Sequence, residues 1–489
     1  MKHLLNTYKI FIFLITFFKI QNKPNKNSND SKINSTENYQ LHFVFEIMRH
    51  GARSPETLYS SSSSSEEIYD LFHEKWPDGP TELTSLGIRQ HFLIGYRNYL
   101  RYINNTHFLK EYYEPDEIQL ISTPLNRTIM SMNAEIHGMF LPGNGPYLDD
   151  SSESEIAVPP LKSNENYNKE RIDLDKNESY AAIKERLFVL PVYTFNPKKF
   201  NTQKVKAEHC KALKKVYEKR YKDDKYQEFY KKLNESYGKV LTRILKKKNR
   251  DFISDHDFIS NLTDAAIADY TDNRTLNIVD YFDDSSFDEE NFIDFVENYA
   301  FKFSYLEYIG NFEKYDKEIA QVAASQTFEY ILDWMKNIKE NKKKNPKFVI
   351  FSMHETNLGP FTFFLKKALD IDYPDNFVNY ANFSANAHLE LFYKKSKKKY
   401  YVNYFFNDQS IKNIPFDDFE DKISEFIMNE DKIHYYCNEE NKNDYIVVIS
   451  ILSSIVVILI ITLVIIYFKI KKKKFNSIEK INSFDLYEN

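Results

Sequence analysis

Only ten glycines, two cysteines and two tryptophans occur among 489 residues, and several familiar devices are missing with them. There is no Gly-rich P-loop to cradle a nucleotide. His354-Glu355-Thr356-Asn357-Leu358 lacks the second histidine of a zinc-protease helix. Asp173, Asp175 and Asn177 imitate the start of a calcium loop, but Glu178 stands where a glycine turn is needed and Lys184 where a bidentate glutamate belongs. No metal ion and no organic cofactor is expected. Positive charge is not in excess either: 66 Lys and Arg face 71 Asp and Glu, a net charge of -5. Clusters such as Lys246 to Lys248 and Lys342 to Lys344 are interspersed with acids and read as solvated faces, which excludes a nucleic-acid surface. No internal repeat is visible, and Ser60 to Ser65 is a low-complexity loop. The abundance of 36 Tyr and 40 Phe reads as a compositional bias of the genome.

Hydrophobic residues at 42% supply a large core, enough for a catalytic unit with a second lobe. The ends carry targeting signals. Lys2 and Lys9 lead into the apolar segment Ile10 to Phe18, too short to span a bilayer but right for a signal peptide over residues 1–21. Ile446 to Phe468 is almost wholly apolar and, at ~1.5 Å per residue, reaches roughly 35 Å as a transmembrane helix. Glu439, Glu440 and Asp444 precede it and Lys469 and Lys471 to Lys474 follow, which places the tail 469–489 in the cytosol. The expected topology is a single-pass type I membrane protein, at the cell surface or in a lysosomal or other vesicular membrane. Glycosylation triplets at Asn29, Asn34, Asn104, Asn177, Asn234, Asn261, Asn273 and Asn382 suit the lumenal or extracellular side. Asn126 also matches but adjoins a candidate site residue. An oxidising compartment permits Cys210 and Cys437 to pair, the alternative being two buried thiols.

Short apolar runs at Gln40 to Met48, Glu117 to Thr123 and Lys347 to Ser352 read as strands, the last buried on both faces. Helical spacing follows at Gly87 to Arg101, with Ile88, Phe92, Leu93, Tyr96, Tyr99 and Leu100 in register and Thr84 as cap. Asn126 to Met139 reads likewise, with Ile129, Met130, Asn133 and Ile136 on one side. Strand and helix alternation predicts an α/β fold, a Rossmann-like sheet flanked by helices, with ligands at the carboxyl ends of the strands. The core spans 38–148 and 312–437, interrupted by a mostly helical cap over 149–311. Ala387 to Tyr393 and Tyr400 to Phe406 form a hairpin with a lysine-rich tip.

Three strand ends carry the chemistry. Arg49-His50-Gly51-Ala52-Arg53 follows the first strand and joins an imidazole to two guanidiniums, whose planar forks suit phosphate oxygens. Gly51 lets the backbone approach closely. Ser122-Thr123-Pro124-Leu125-Asn126-Arg127-Thr128 puts Arg127 in the first turn of a helix, where free N–H groups favour an anion. His354-Glu355 follows the third strand with a donor and a carboxyl.

This set resembles the histidine acid phosphatases, the branch of the histidine phosphatase superfamily that includes membrane-anchored lysosomal-type acid phosphatases. The likeness runs from about Leu41 to Lys422. Leu83-Thr84-Ser85-Leu86-Gly87 looks like the family's Leu-Thr-x-x-Gly helix start, Ser122-Thr123 through Arg127-Thr128 like its Ser-Thr-x-x-x-Arg-Thr segment, and Pro191-Val192-Tyr193-Thr194 like its Pro-Val-x-Thr stretch. The resemblance implies a phosphate monoester hydrolase acting on a small molecule or phosphopeptide. In it His50 is the nucleophile, Arg49, Arg53, Arg127 and His354 hold the phosphoryl group, and Glu355 protonates the leaving alcohol. It also implies a Cys210–Cys437 disulfide and leaves a homodimer open. The chain departs from the family's common His-Asp pair with His354-Glu355, so the longer side chain folds back or the acid comes from elsewhere. Inositol-phosphate phosphatases of the wider family use a glutamate in a His-Ala-Glu motif. The rival readings are a slow phospho-ligand-binding or adhesion ectodomain, an inositol-phosphate phosphatase, and a mutase of the wider superfamily.

Overall fold

In the computed structural model, residues 39–55, 76, 79–148, 181–195, 210–247, 256–274, 288–308, 313–342, 345–373 and 382–484 are described. The expected signal peptide, the serine run, the calcium-like stretch and the acceptors Asn29, Asn34 and Asn177 lie outside them.

The apolar run at the start of the described chain forms β1 (Tyr39–Arg49). Its alternation suggests one buried face, yet Val44, Glu46 and Met48 are buried as fully as Phe43, Phe45 and Ile47. The cause is position. With β2 (Ile118–Ser122), β3 (Tyr193–Thr194), β4 (Phe348–Met353), β5 (Asn386–Lys394), β6 (Lys399–Phe406) and β7 (Gln409–Pro415), it builds a seven-stranded sheet of order β3-β2-β4-β1-β5-β6-β7. β1 is the middle of the sheet, parallel to β4 and antiparallel to β5. The β5–β6 hairpin is the expected one; β7, a polar edge strand rich in Gln, Ser, Lys and Asn, carries no alternation that marks it in the sequence.

Helices cover both faces. α1 (Ser85–Asn98) and α2 (Asn126–Met139) lie on the side of Val44, Met48, Leu120 and Ile350. α3 (Lys211–Tyr221), α4 (Asp224–Lys247), α5 (His256–Thr271), α6 (Glu289–Phe295) and α7 (Phe301–Tyr308) follow, the last two joined by a wider π-type turn. α8 (Glu313–Lys339), α9 (Glu355–Leu369) and α10 (Phe416–Phe426) cover the opposite face, where Phe328 stacks on Phe361 and Phe364. α4 to α7 make a separate core around Tyr226, Phe229, Leu233, Phe292 and Phe303, which Ala52 and Phe383 join at the carboxyl edge of the sheet. The stretch 149–311 is thus helical across α3 to α7, but it also returns to the sheet as the edge strand β3.

Two helix faces differ from expectation. Thr84 caps α1 as predicted, its hydroxyl accepting from Gly87 N, but Ile88, Leu93 and Tyr96 are exposed and the inward face is Gly87, His91, Ile94, Gly95 and Asn98. On α2, Met130 is exposed and the buried face carries Arg127, Thr128, Ser131, Met132, Glu135 and Ile136. Both inward faces serve a polar interior, which a search for apolar stripes passes over.

Cys210, ahead of α3, is bonded to Cys437 in α11 (Glu430–Phe484). Around the bridge Leu213, Val216, Ile319, Val322 and Ile433 form a small core. Farther along α11, Ser450–Lys473 is the one stretch among the described residues long and apolar enough to cross a membrane; it overlaps the expected Ile446 to Phe468.

Candidate active site

Parallel pairing sets the three strand ends level. Arg49 of β1 is in register with Met353 of β4, and Ser122 of β2 with Ser352, so His50, Thr123 and His354 emerge together. Arg127 follows in the first turn of α2, and Glu355 opens α9. Every predicted site residue therefore converges on one carboxyl edge.

The turn after β1 is fixed by its neighbours. His50 N donates to Met353 O at 3.1 Å and its carbonyl accepts from Ser384 N at 3.0 Å. Gly51 N donates to Ser131 Oγ at 3.0 Å, and Ala52 N to Gln90 Oε1 at 2.9 Å. A Cβ on Gly51 would sit 2.5 Å from the carbonyl oxygen of Gly87, which is why the turn has glycine there.

His50 is fully buried. Its Nδ1 lies 2.9 Å from the carbonyl of Gly51, which can only accept, so Nδ1 carries the hydrogen and Nε2 presents its lone pair. Nε2 makes no hydrogen bond. Burial first, then Arg49, Arg53, His354 and Arg127, hold the imidazole well below its ordinary value and keep it neutral in acid. His354, whose ring centre is 5.5 Å from that of His50, is pushed down to about 3 by burial and by Arg127, Arg53 and Arg49. Its Nε2 is 2.9 Å from Thr123 Oγ1, which in turn meets Thr128 Oγ1 at 2.7 Å.

Glu355 does fold back. Its Oε2 is 2.9 Å from Arg49 Nε and 3.8 Å from His50 Nε2. Burial alone would raise this carboxyl; Arg49, Arg53 and His354 outweigh it and hold it at about 2. Glu355 is thus ionised, as an ion-pair partner of Arg49.

Two contributors escaped the sequence reading. Asp264 of α5 binds Arg53 through both oxygens, at 2.8 Å and 3.2 Å, latching the helical unit to the turn after β1. Phe383 lies with its ring centre 4.4 Å from the Arg49 guanidinium carbon and 5.8 Å from the His50 ring centre. Neither stands in a motif: one is an acid in an ordinary amphipathic helix, the other one aromatic among 40 Phe. Among the described residues no group of His, Cys, Asp and Glu could hold a metal ion.

The chain is similar to the lysosomal acid phosphatase of Xenopus laevis, 34% identical over 118 residues that cover 24% of this chain and 25% of that protein. It is also similar to the lysosomal acid phosphatase of Homo sapiens (37% over 105 residues, 22% of each chain) and to the prostatic acid phosphatase of Bos taurus (34% over 103 residues, 21% and 24%). The matched segments span about a quarter of these relatives. Among solved structures, a Klebsiella phytase is 14% identical with a TM-score of 0.46, covering 81% of this chain and 97% of its own. A Bifidobacterium longum multiple inositol polyphosphate phosphatase is 13% identical with a TM-score of 0.47, covering 80% and 90%. The family profile matches residues 40–407, taking in β1 to β6, the helical unit and all three strand ends, and the chain belongs to the histidine phosphatase superfamily, branch 2.

Proposed function

We propose that this protein is an acid phosphatase that hydrolyses phosphate monoesters through a phosphohistidine. The observation that carries the reading is the His50 Nε2 lone pair, buried and unbonded among Arg49, Arg53, Arg127 and His354. In-line attack by Nε2 on phosphorus forms the N–P bond as the P–O bond to the alcohol breaks, and the guanidiniums stabilise the equatorial oxygens. Glu355 gives its proton to the departing oxygen, then takes one from the water that breaks the N–P bond. For this it must first be protonated. A bound phosphate ester draws Arg49 toward itself and sets anionic oxygens beside the carboxyl, and both effects raise Glu355.

Leaving groups meet the Phe383 side of the site and the helical unit, while the arginines read only phosphate. The ectodomain is proposed to face the lumen or the exterior as part of a type I glycoprotein. Exposed acceptors at Asn104, Asn234, Asn273 and Asn382 and the Cys210–Cys437 bridge support that orientation. Turnover of p-nitrophenyl phosphate between about pH 4 and 8, with acid-quenched labelling mapped by mass spectrometry, tests the mechanism. The label is expected on His50, and His50→Ala is expected to abolish turnover. Equal turnover by both proteins rules the mechanism out, and no turnover by either favours a phospho-ligand-binding ectodomain.

A further inference from the structure

Behind the catalytic turn lies a set of polar side chains that phosphoryl transfer does not use: Glu46 of β1, His91 and Asn98 of α1, Glu135 of α2 and His388 of β5. None is more than 4% exposed. Asn98 Nδ2 donates to Glu46 Oε2 at 2.9 Å and to Glu135 Oε1 at 3.0 Å, using both amide hydrogens. His388 Nε2 stands 3.1 Å from Glu46 Oε2. His91 bridges to the active site: its Nδ1 is 3.4 Å from Glu135 Oε2 and its Nε2 is 3.1 Å from the backbone carbonyl of Arg49. Asn98 thus holds the carboxyls of Glu46 and Glu135 beside one another, and Glu46 Oε1 has no donor.

Counting hydrogens shows what is missing. A carbonyl only accepts, so His91 Nε2 carries a hydrogen. Burial lowers His91 to about 4, so it is neutral and its Nδ1 offers a lone pair. His91 Nδ1 and Glu135 Oε2 then meet as two acceptors with no hydrogen between them, and Glu46 Oε1 likewise lacks a donor. Two adjoining carboxylates without a shared proton are unfavourable in such a place.

We propose that Glu135 holds a proton as a neutral carboxylic acid, and that Glu135 and His91 are positioning residues that brace the Arg49–His50 turn from behind. Burial, then the adjoining Glu46, raises Glu135 well above the ordinary carboxyl range. Burial also works to raise Glu46, but His388 overrides it, so the proton resides on Glu135. From α1, Arg97 also faces the pair, though it is itself paired with Asp408. The neighbouring Glu390 is engaged by Tyr102 and Arg101, each at 2.8 Å, and does not supply the missing hydrogen. The brace acts through the Arg49 carbonyl. Held by His91, that peptide aims both the Arg49 side chain and the His50 ring that follows it. This role rests on the reading of His50 as nucleophile; the bound proton does not.

Glutamine is the discriminating substitution, because its amide supplies one hydrogen to Glu46 and one to His91 Nδ1 without titrating. In the full chain, Glu135→Gln is expected to keep kcat for p-nitrophenyl phosphate within about threefold, whereas Glu135→Ala lowers kcat about 10²-fold with KM little changed, the scale of an ~1 Å misplacement. Infrared difference spectra near neutral pH are expected to show a protonated-carboxyl C=O band that is absent in Glu135→Gln and retained in His50→Ala. The infrared band decides the matter where the alanine variant does not fold. No band lost in Glu135→Gln overturns the proposal, as does a glutamine variant as impaired as alanine. Undiminished turnover by His50→Ala overturns the phosphohistidine reading alone and leaves the bound proton standing.

Discussion

At the scale of single residues, burial and the surrounding arginines together set the ionisation of His50 and of its neighbours. Glu355, held at about 2 beside Arg49, is ionised across the working range, so the proposed service as an acid depends on the substrate's own charge. Glu355→Gln is expected to lower kcat about 10²- to 10⁴-fold for an alkyl phosphate, whose leaving oxygen needs a proton. The loss should be much smaller for p-nitrophenyl phosphate, whose leaving group departs as an anion. Equal losses on the two substrates would assign Glu355 to holding Arg49 instead. His354 makes a second, thermodynamic prediction. Below its ordinary value of 6.5 the unfolded chain takes up a proton at this imidazole, while the folded protein, held at about 3, does not. Its contribution therefore makes stability fall as pH drops from 6.5 toward 3, by about 1.4 kcal/mol per pH unit. Denaturant melts between about pH 6 and 4 should show a shallower decline in His354→Asn by that amount; parallel curves would mean the ring is protonated in the folded protein. Residues of this kind were readable from sequence because each follows a strand end directly, whereas Asp264 and Phe383 reach the site only through tertiary packing.

At the scale of elements, strands and helix starts were legible and helix faces were not. β1, β2 and β4 announce themselves by apolar runs, and Asn126–Met139 has the bounds its pattern predicts. The failure at α1 has a physical reason in the scarce glycines. Gly51, Gly87, Gly95 and Gly138 account for four of the ten, and each lies where a Cβ would collide with a neighbouring backbone. At Gly95 that backbone is the carbonyl of Glu135, and at Gly138 it is that of Phe92. α1 and α2 thus pack backbone to backbone, which brings His91, Asn98 and Glu135 together and turns Ile88, Leu93 and Tyr96 outward. Apolar periodicity cannot report a helix contact made by glycines around a polar interior. Gly95→Ala should force the helices apart and lower stability by about 1–3 kcal/mol, the usual penalty for overpacking. Because the same helices carry Gln90 and Ser131 against the turn proposed to be catalytic, activity should fall along with the thermal midpoint. An unchanged midpoint would show that the crossing is looser than this geometry.

At the scale of the whole molecule, one covalent link joins two parts that are far apart in sequence, and a third packs against it. Cys210 leads into α3, Cys437 sits in the first turns of α11, and α8 packs between them through Ile319 and Val322. The apolar stretch long enough to cross a membrane begins at Ser450 of the same helix, at a rise of ~1.5 Å per residue roughly 20 Å beyond the bridge. The bridge therefore ties α3 of the folded unit to the helix that carries the candidate span. A loop of 227 residues is closed by it, and loss of such a link typically removes about 2–4 kcal/mol. Neither cysteine touches the carboxyl edge of the sheet, so stability and catalysis should separate. Cys437→Ser is expected to lower the thermal midpoint by on the order of 5 °C while kcat and KM for p-nitrophenyl phosphate stay near wild type. Reductant should shift the wild-type midpoint by the same amount and the variant's not at all. If reductant moves neither protein, the thiols stay unpaired in the cell-derived material, and the proposed lumenal placement of this face loses its chemical support.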